Sequence, residues 1–396
     1  MLEIAEECVK KICILTATRA EYGLLKPIIQ KFIARKEFSI HVAVTGMHLS
    51  PEFGLTYKEI EADGIPIDKK IEILLSADTP ASISKSMGLA MIGFADYFEE
   101  LKPDLLIVLG DRYETLAVAA AAMNARIPIA HLFGGDITEG AVDDAIRHAI
   151  TKLSYLHFVG TPAHRKRVIQ MGEEPERVFY VGEIAVENAK TVPLLTKEEL
   201  KEQLDFDWGA HRMVVVTFHP VTLEKNTAKE QCENLLAALE QIEDLRIIFT
   251  KANSDADGRI INQLLDEYAV AHKESCRVFT SLGQLRYLSA VSMADAVVGN
   301  SSSGVAEVPS FHVPTVNIGD RQRGRETGKT VIHCGTDTEA VVSAIRKALS
   351  PAFREEIADA KNPYEKEGTS DAIVDTISDF LRTDRIDLKK HFYAVS

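Results

Sequence analysis

ADAVVGNSSSGVAEVPSFHVPTVNIGDRQRGR, residues Ala294 to Arg325, reads as strand, tight loop, short helix, strand and basic loop. Ala296, Val297 and Val298 form a short apolar run suited to a buried parallel strand. Gly299 and Gly304 bracket Asn300, Ser301, Ser302 and Ser303. Small residues let a backbone approach a ligand closely, and hydroxyls add donors. The helix that follows is expected to point its free N–H groups into this loop, which makes an anion site. Glu307, a turn or so into that helix, is placed to accept the two hydroxyls of a ribose. Arg321, Arg323 and Arg325 follow the next strand and are expected to reach the same anion. A phosphorylated sugar-nucleotide would satisfy these groups together. A Ser-rich helix cap beside a surface arginine cluster is the structural alternative.

The chain has 396 residues, 46% hydrophobic and 26% charged, enough for two soluble globular domains. Net charge is -14 with no basic stripe, which argues against a nucleic-acid partner. No apolar run approaches a membrane span, and the start MLEIAEECVKK has no apolar signal core. A cytoplasmic protein without a membrane partner is therefore expected. The five cysteines are an odd number without CxxC spacing, which argues against a disulfide framework and a zinc site. No metal and no cofactor are expected. Isolated arginines in an acidic chain suit a small anion.

The rest of the chain repeats the same alternation. KICILT (Lys11 to Thr16) reads as a strand, with Arg19 in the loop that follows and a helix carrying Leu24, Leu25, Ile28, Ile29 and Phe32. DLLIV closes at Gly110-Asp111-Arg112, and IPIAHLF leads into Gly134-Gly135-Asp136. MVVVTF, RIIFT and the strands around Val297 and Val316 continue the pattern in the second half. About six strands per half, each followed by a helix, predict two doubly wound α/β domains. The expected division is 1–186 for the first domain with acid–base residues, and 187–370 for the nucleotide-binding domain. A C-terminal helix and tail, 371–396, is long enough to pack back on the first domain. Ligands of such sheets sit at the carboxyl ends of strands. The polar residues collected there are Arg19, Asp111, Arg112, His131, Asp136, His219, Asn253, Asp255, Ser301, Ser302 and Arg321. Singly, Asp111 also reads as a helix cap, His219 as a buried hydrogen-bonding residue, and Asp143 and Asp144 as first-turn acids.

Seven blocks in order resemble one family. They are TATRAEYGLLKPII, GDRYETLA, GGD followed by VDDAIRHAITKLS, FHPVT, NSDADGR, GNSSSGVAEVPSFHVPTVN and GDRQRGRETG. The resemblance is to the hydrolysing UDP-N-acetylglucosamine 2-epimerases of sialic-acid- and legionaminic-acid-type sugar synthesis. It implies two Rossmann-like domains in the glycosyltransferase-B arrangement, with a UDP-sugar in the cleft and a homodimer or homotetramer. It also implies a chemistry. UDP is eliminated across C1–C2, and water then adds to the 2-acetamidoglucal to release a manno-configured sugar. In the family's pattern Asp111 and Asp143 match carboxylates, and His219 matches a histidine near the diphosphate. Arg19, Arg112 and Arg321 match anion-contacting arginines. Ser301 and Ser302 match the phosphate loop with Gly304, and Glu307 matches the ribose acceptor. Asn253 and Asp255 of NSDADGR complete the substrate-binding set. One position departs. Where many relatives have Glu, in HIEGG, this chain has Phe133 in HLFGGD, and Phe133 cannot move a proton. Asp136 and Glu139 are the nearby replacement carboxylates. The GGDITEGAVDD spelling fits a 2,4-diacetamido-2,4,6-trideoxy sugar at least as well as UDP-GlcNAc. The alternatives are a non-hydrolysing epimerase and, because of Phe133, a nucleotide-sugar-binding regulator without turnover.

Overall fold

The structure, a computed structural model, describes residues 9–75, 77, 79–221, 223–224, 226–252 and 257–395. Among these residues the first sheet has seven parallel strands: β1 (Lys11–Thr16), β2 (Ser39–Thr45), β3 (Ile67–Ile71), β4 (Leu105–Leu109), β5 (Ile129–Leu132), β6 (Leu156–Val159) and β7 (Val178–Tyr180). Their spatial order is β3-β2-β1-β4-β5-β6-β7. The second sheet has six: β8 (Arg212–Thr217), β9 (Leu245–Thr250), β10 (Cys276–Phe279), β11 (Ala296–Gly299), β12 (Thr315–Ile318) and β13 (Val331–Cys334), ordered β10-β9-β8-β11-β12-β13. Helices cover both faces of each sheet, so the central strands read as continuous apolar runs. All five residues of LLIVL in β4 are buried. The expected pair of doubly wound α/β units is what the chain forms.

The strand order reverses between β1 and β4 in one sheet and between β8 and β11 in the other. Those switch points open a crevice at the carboxyl ends of the strands. Arg19 and Asp111 leave the first switch point, and His219 and Ser301 leave the second. Arg19 itself opens the helix Arg19–Arg35 rather than lying in a loop. Thr18 caps that helix, and Glu21 completes a capping box by accepting from the N–H groups of Ala17 and Thr18 at 2.8 and 3.0 Å. Strand β3, IDKKI, has no counterpart in the sequence reading. It is an edge strand in which Asp68 and Lys70 are exposed and Lys69 shares the face of Ile67 and Ile71, so its apolar content is low.

The C-terminal helix Thr369–Arg382 lies on the first domain. Its Ile373, Val374 and Ile377 are fully buried in the same core as Ile12, Ile28 and Phe32. Lys31 meets Asp371 at 2.5 Å, Arg35 donates to Ser378 at 3.2 Å, and Arg382 reaches Glu37 at 3.0 Å. Burial of each aliphatic side chain stabilises by about 1.5–3 kcal/mol, more than these surface ion pairs contribute. The tail continues over the same domain, where Lys390 contacts Glu173 at 2.9 Å and Tyr393 N–H donates to Gly172 at 2.9 Å. Among the described residues no helix is long and apolar enough to cross a membrane.

Candidate active site

The loop after β11 is held in place by backbone and amide contacts. Gly299 has φ of 137°, and a Cβ there would stand 1.9 Å from the Thr217 carbonyl of β8. Only glycine lets the two strand ends lie this close. Asn300 then clasps the neighbouring loop. Its Oδ1 accepts from the His219 N–H at 2.7 Å and its Nδ2 donates to the His219 carbonyl at 2.8 Å. The Asn300 carbonyl accepts in turn from Arg321 at 3.2 Å and Gln322 at 2.9 Å. One asparagine therefore joins the exits of β8, β11 and β12, and fixes buried His219 beside the serines.

The helix behind this loop is shorter than expected. It spans Ser303–Ala306, a single turn, because Pro309 soon follows. The free N–H groups are therefore those of one turn, and Glu307 caps its end instead of sitting inside a longer helix. Gly304 packs against Thr315, whose hydroxyl donates to the Gly304 carbonyl at 2.8 Å. Tyr287 donates to Ser303 at 2.7 Å, which orders the turn from below. Burial raises the Glu307 carboxyl above its ordinary range, and a hydrogen bond with Ser303 partly offsets this. A diol donating two hydrogen bonds would relieve that cost.

The first sheet supplies carboxylates. Asp111, at the exit of β4, is bound by Arg147, whose Nε lies 3.0 Å away and whose Nη2 also contacts it. Arg147 is 1% exposed, and it further donates to Thr138 at 3.0 Å and faces Asp144 at 3.5 Å. Burial pushes Asp111 upward, but the Arg147 and Arg325 guanidiniums outweigh it and hold the carboxyl below its usual range. Asp144 is committed to structure, because it accepts from the Thr138 N–H at 2.7 Å and pairs with Arg147. Asp143, one residue earlier, opens the helix Asp143–Leu153 and faces Arg321 across the crevice at 3.8 Å. Arg112 is aimed by Glu114, a fully buried acid that holds it through Nε and Nη2 at 3.1 and 3.0 Å. Arg19 is aimed by Glu59 at 3.0 Å. His131 is buried, bonded to the Gly110 carbonyl at 2.7 Å, and held neutral by burial, with its pKa near 3. It supports the β4 exit and stands behind the cleft rather than in it.

Further contacts join the halves. Arg325 pairs with Asp136 at 2.9 Å, and His164 faces the same carboxylate at 3.2 Å. Burial raises Asp136, but Arg325 and His164 keep it well below the carboxylate range. Glu139 pairs with Arg323 at 3.2 Å, both more than half exposed, and its N–H donates to the Arg323 carbonyl at 3.0 Å. Of the three arginines expected at one anion, Arg321 meets the serine loop, whereas Arg323 and Arg325 turn to the first sheet. Asp136 and Glu139 thus add contacts between the halves beside that of Asp143 with Arg321. Phe133, with φ of 66°, packs against the core cluster of the first sheet, which includes Val181 and Ile184. Asn253 and Asp255 lie outside the described residues.

The sequence reading missed Arg147, Asn300 and Glu114 as organising residues. Arg147 was traceable, since it falls one turn after Asp143 and Asp144 on the same helix face. Asn300 acts through backbone groups of distant loops, which leave no pattern in the chain.

Known proteins match along nearly the whole length. The family model for UDP-N-acetylglucosamine 2-epimerase matches residues 30–378. A GDP/UDP-N,N'-diacetylbacillosamine 2-epimerase (hydrolyzing) of Campylobacter jejuni is 43% identical, covering 87% of this chain and 89% of its own. A UDP-N,N'-diacetylbacillosamine 2-epimerase (hydrolyzing) of Legionella pneumophila is 35% identical, covering 86% and 89%. Among solved structures, the MnaA–UDP co-structure of S. aureus superposes with a TM-score of 0.78 at 19% identity, covering 94% and 97%. At that identity the likeness speaks for the fold alone, two Rossmann-like halves in a glycosyltransferase-B-like arrangement. The resemblance read from seven ordered blocks is therefore borne out, and the chain belongs to the UDP-N-acetylglucosamine 2-epimerase family.

Proposed function

We propose that the protein is a hydrolysing 2-epimerase, which converts a UDP-2-acetamido sugar to UDP and the free manno-configured sugar. The observation that carries this reading is the facing of Asp143 and Arg321 at 3.8 Å. It brings the carboxylate side of the first sheet onto the serine loop of the second. A sugar on the first side and a diphosphate on the second would put C1–C2 between them. Removal of the weakly acidic C2 proton needs a positioned carboxylate, and departure of the diphosphate needs donors and cations. Asp143 is the group we assign to the C2 proton, with Asp111 held ionised beside it. His219, Arg321, Ser301 and Ser302 are assigned to the diphosphate, with Arg19 and Arg112 as further anion contacts.

The names of the two hydrolysing relatives favour a 2,4-diacetamido-2,4,6-trideoxy sugar over UDP-GlcNAc. A cytoplasmic homodimer or homotetramer serving sialic- or legionaminic-type synthesis completes the proposal. Incubation with both nucleotide sugars tests it. Free UDP with a manno-type sugar supports it. An epimerised nucleotide sugar without UDP would indicate a non-hydrolysing enzyme, and binding without product a regulator.

Two further outcomes are expected. Product made in D2O carries deuterium at C2, because the proton there is exchanged. NMR of product without deuterium at C2 would rule out the elimination route. Glu307→Ala weakens UDP binding in calorimetry by about 1.5–3 kcal/mol per lost charge-assisted hydrogen bond. Unchanged affinity would mean that the ribose lies elsewhere.

A further inference from the structure

Epimerisation at C2 needs proton transfer on both faces of the sugar: one group removes the proton and another supplies a new one from the opposite side. Phe133 leaves this chain without the carboxyl that many relatives carry beside the Gly-Gly turn. Asp136 and Glu139, the nearest acids in sequence, are both paired with arginines of the other half. A further acid stands at a strand exit of the first sheet. Glu183 follows β7, two strands from β5, whose exit carries Phe133. Its neighbours Val181 and Ile184 lie in the core cluster against which Phe133 packs.

Glu183 is built in place. Its N–H donates to the Tyr364 carbonyl at 3.1 Å, which pins the backbone to the returning C-terminal segment. Its side chain folds over Gly160 at the exit of β6. A Cβ at Gly160 would lie 2.7 Å from Glu183 Cγ and 2.8 Å from Oε1, so only glycine leaves room for it. Glu183 is 8% exposed, yet among the described residues its carboxyl makes no ion pair. The charged groups around it are Asp136 from the loop after β5, His164 from the helix after β6, Arg325 from the loop after β12, and Glu307 behind the serine loop. Arg325 feels Asp136, Glu183 and Asp111 together, which places its guanidinium among the acids leaving β4, β5 and β7. Tyr364, fully buried, adjoins the same group.

We propose that Glu183 is the acid that protonates C2 in the hydration step, replacing the carboxyl absent at Phe133. The assignment rests on the hydrolysing-epimerase reading. In the first step the carboxylate of Asp143 takes the C2 proton, UDP leaves with the C1–O electron pair, and Asp143 gives that proton up to solvent water as UDP is released. In the second, the Glu183 O–H proton bonds to C2 as the C1–C2 double bond opens. Water then adds at C1 and returns its spare proton to the Glu183 carboxylate. The acid is regenerated, and H and OH enter from one face. Burial, and then the nearby Asp136 charge, push the Glu183 carboxyl up to about 7, so it carries its proton at and below neutrality.

The test is Glu183→Gln, followed by NMR of all products. UDP and the 2-acetamidoglucal are expected to accumulate, with free sugar formed roughly a hundredfold more slowly, the scale of losing a general acid. UDP affinity within about twofold of wild type reports an intact fold. Glu183→Asp retains a carboxyl and is expected to hydrate the glucal faster than the Gln variant. In the wild type, hydration falls as pH rises through about 7, and the Gln variant lacks this limb. Sugar release at the wild-type rate in the Gln variant, or UDP and sugar falling equally without glucal, overturns the assignment. Wild-type protein that releases no UDP from either substrate overturns the functional reading itself, a result visible without any variant.

Discussion

Asp111→Asn is expected to lower kcat by about a hundredfold or more, with UDP affinity little changed. The carboxylate closes β4 at the switch point of the first sheet and accepts from Arg147 at 3.0 Å. Asparagine keeps its outline but not its charge. Arg147 then faces an amide, and the field at the β4 exit loses its fixed negative end. Asp143→Asn is expected to act at least as strongly, because it removes the group assigned to the C2 proton. Glu139→Gln is the contrasting variant. Its carboxylate is more than half exposed and pairs with Arg323, so turnover should stay within a few-fold of wild type. Steady-state rates with calorimetry for UDP separate these cases. If Glu139→Gln abolishes turnover while Asp143→Asn is nearly normal, the base lies in the Gly-Gly loop. If all keep full activity, the carboxylate mechanism fails.

Arg147→Met is expected to produce the largest loss of stability. The guanidinium is 1% exposed and serves Asp111, Asp144 and Thr138 at once. Its removal takes the nearest cation from two half-buried carboxylates, Asp111 and Asp144, and leaves Asp111 only the Arg325 charge. Breaking a buried pair in this way costs about 3–5 kcal/mol, whereas replacing both partners is far milder. Urea unfolding of Arg147→Met, Asp111→Asn and the double variant measures the coupling. The double variant should be more stable than the sum of the two losses implies. A strictly additive cycle would show that the pair is not the unit described here.

The parallel sheets were legible because central strands such as LLIVL and AVVG are apolar throughout, and each is followed by a helical pattern. The edge strand IDKKI escaped, since Asp68, Lys69 and Lys70 mask its period. The site was legible where a residue lies directly at a strand exit, as Asp111, His219 and Ser301 do. It was not legible where function depends on reach across the chain. Arg323 and Arg325 share a loop with Arg321, but they turn to Glu139 and Asp136 because those acids project from the opposite sheet. The serine loop read as the mouth of a helix, yet its helix is one turn long. The nearby Pro309 and the return into β12 set that length.

The return of the last helix to the first domain sets an order of assembly during synthesis. The helix Thr369–Arg382 supplies Ile373, Val374, Ile377, Phe380 and Leu381 to the core that β1 and the helix Arg19–Arg35 begin. A nascent chain that has already emitted every strand of both sheets still lacks this layer. Its earliest core stays open to water until residues 369–382 have been made. The second sheet, contained within residues 212–334, has no such debt to later sequence for its strands. The half made second can therefore close first, and truncation from the C-terminus strikes the half encoded farthest from the cut.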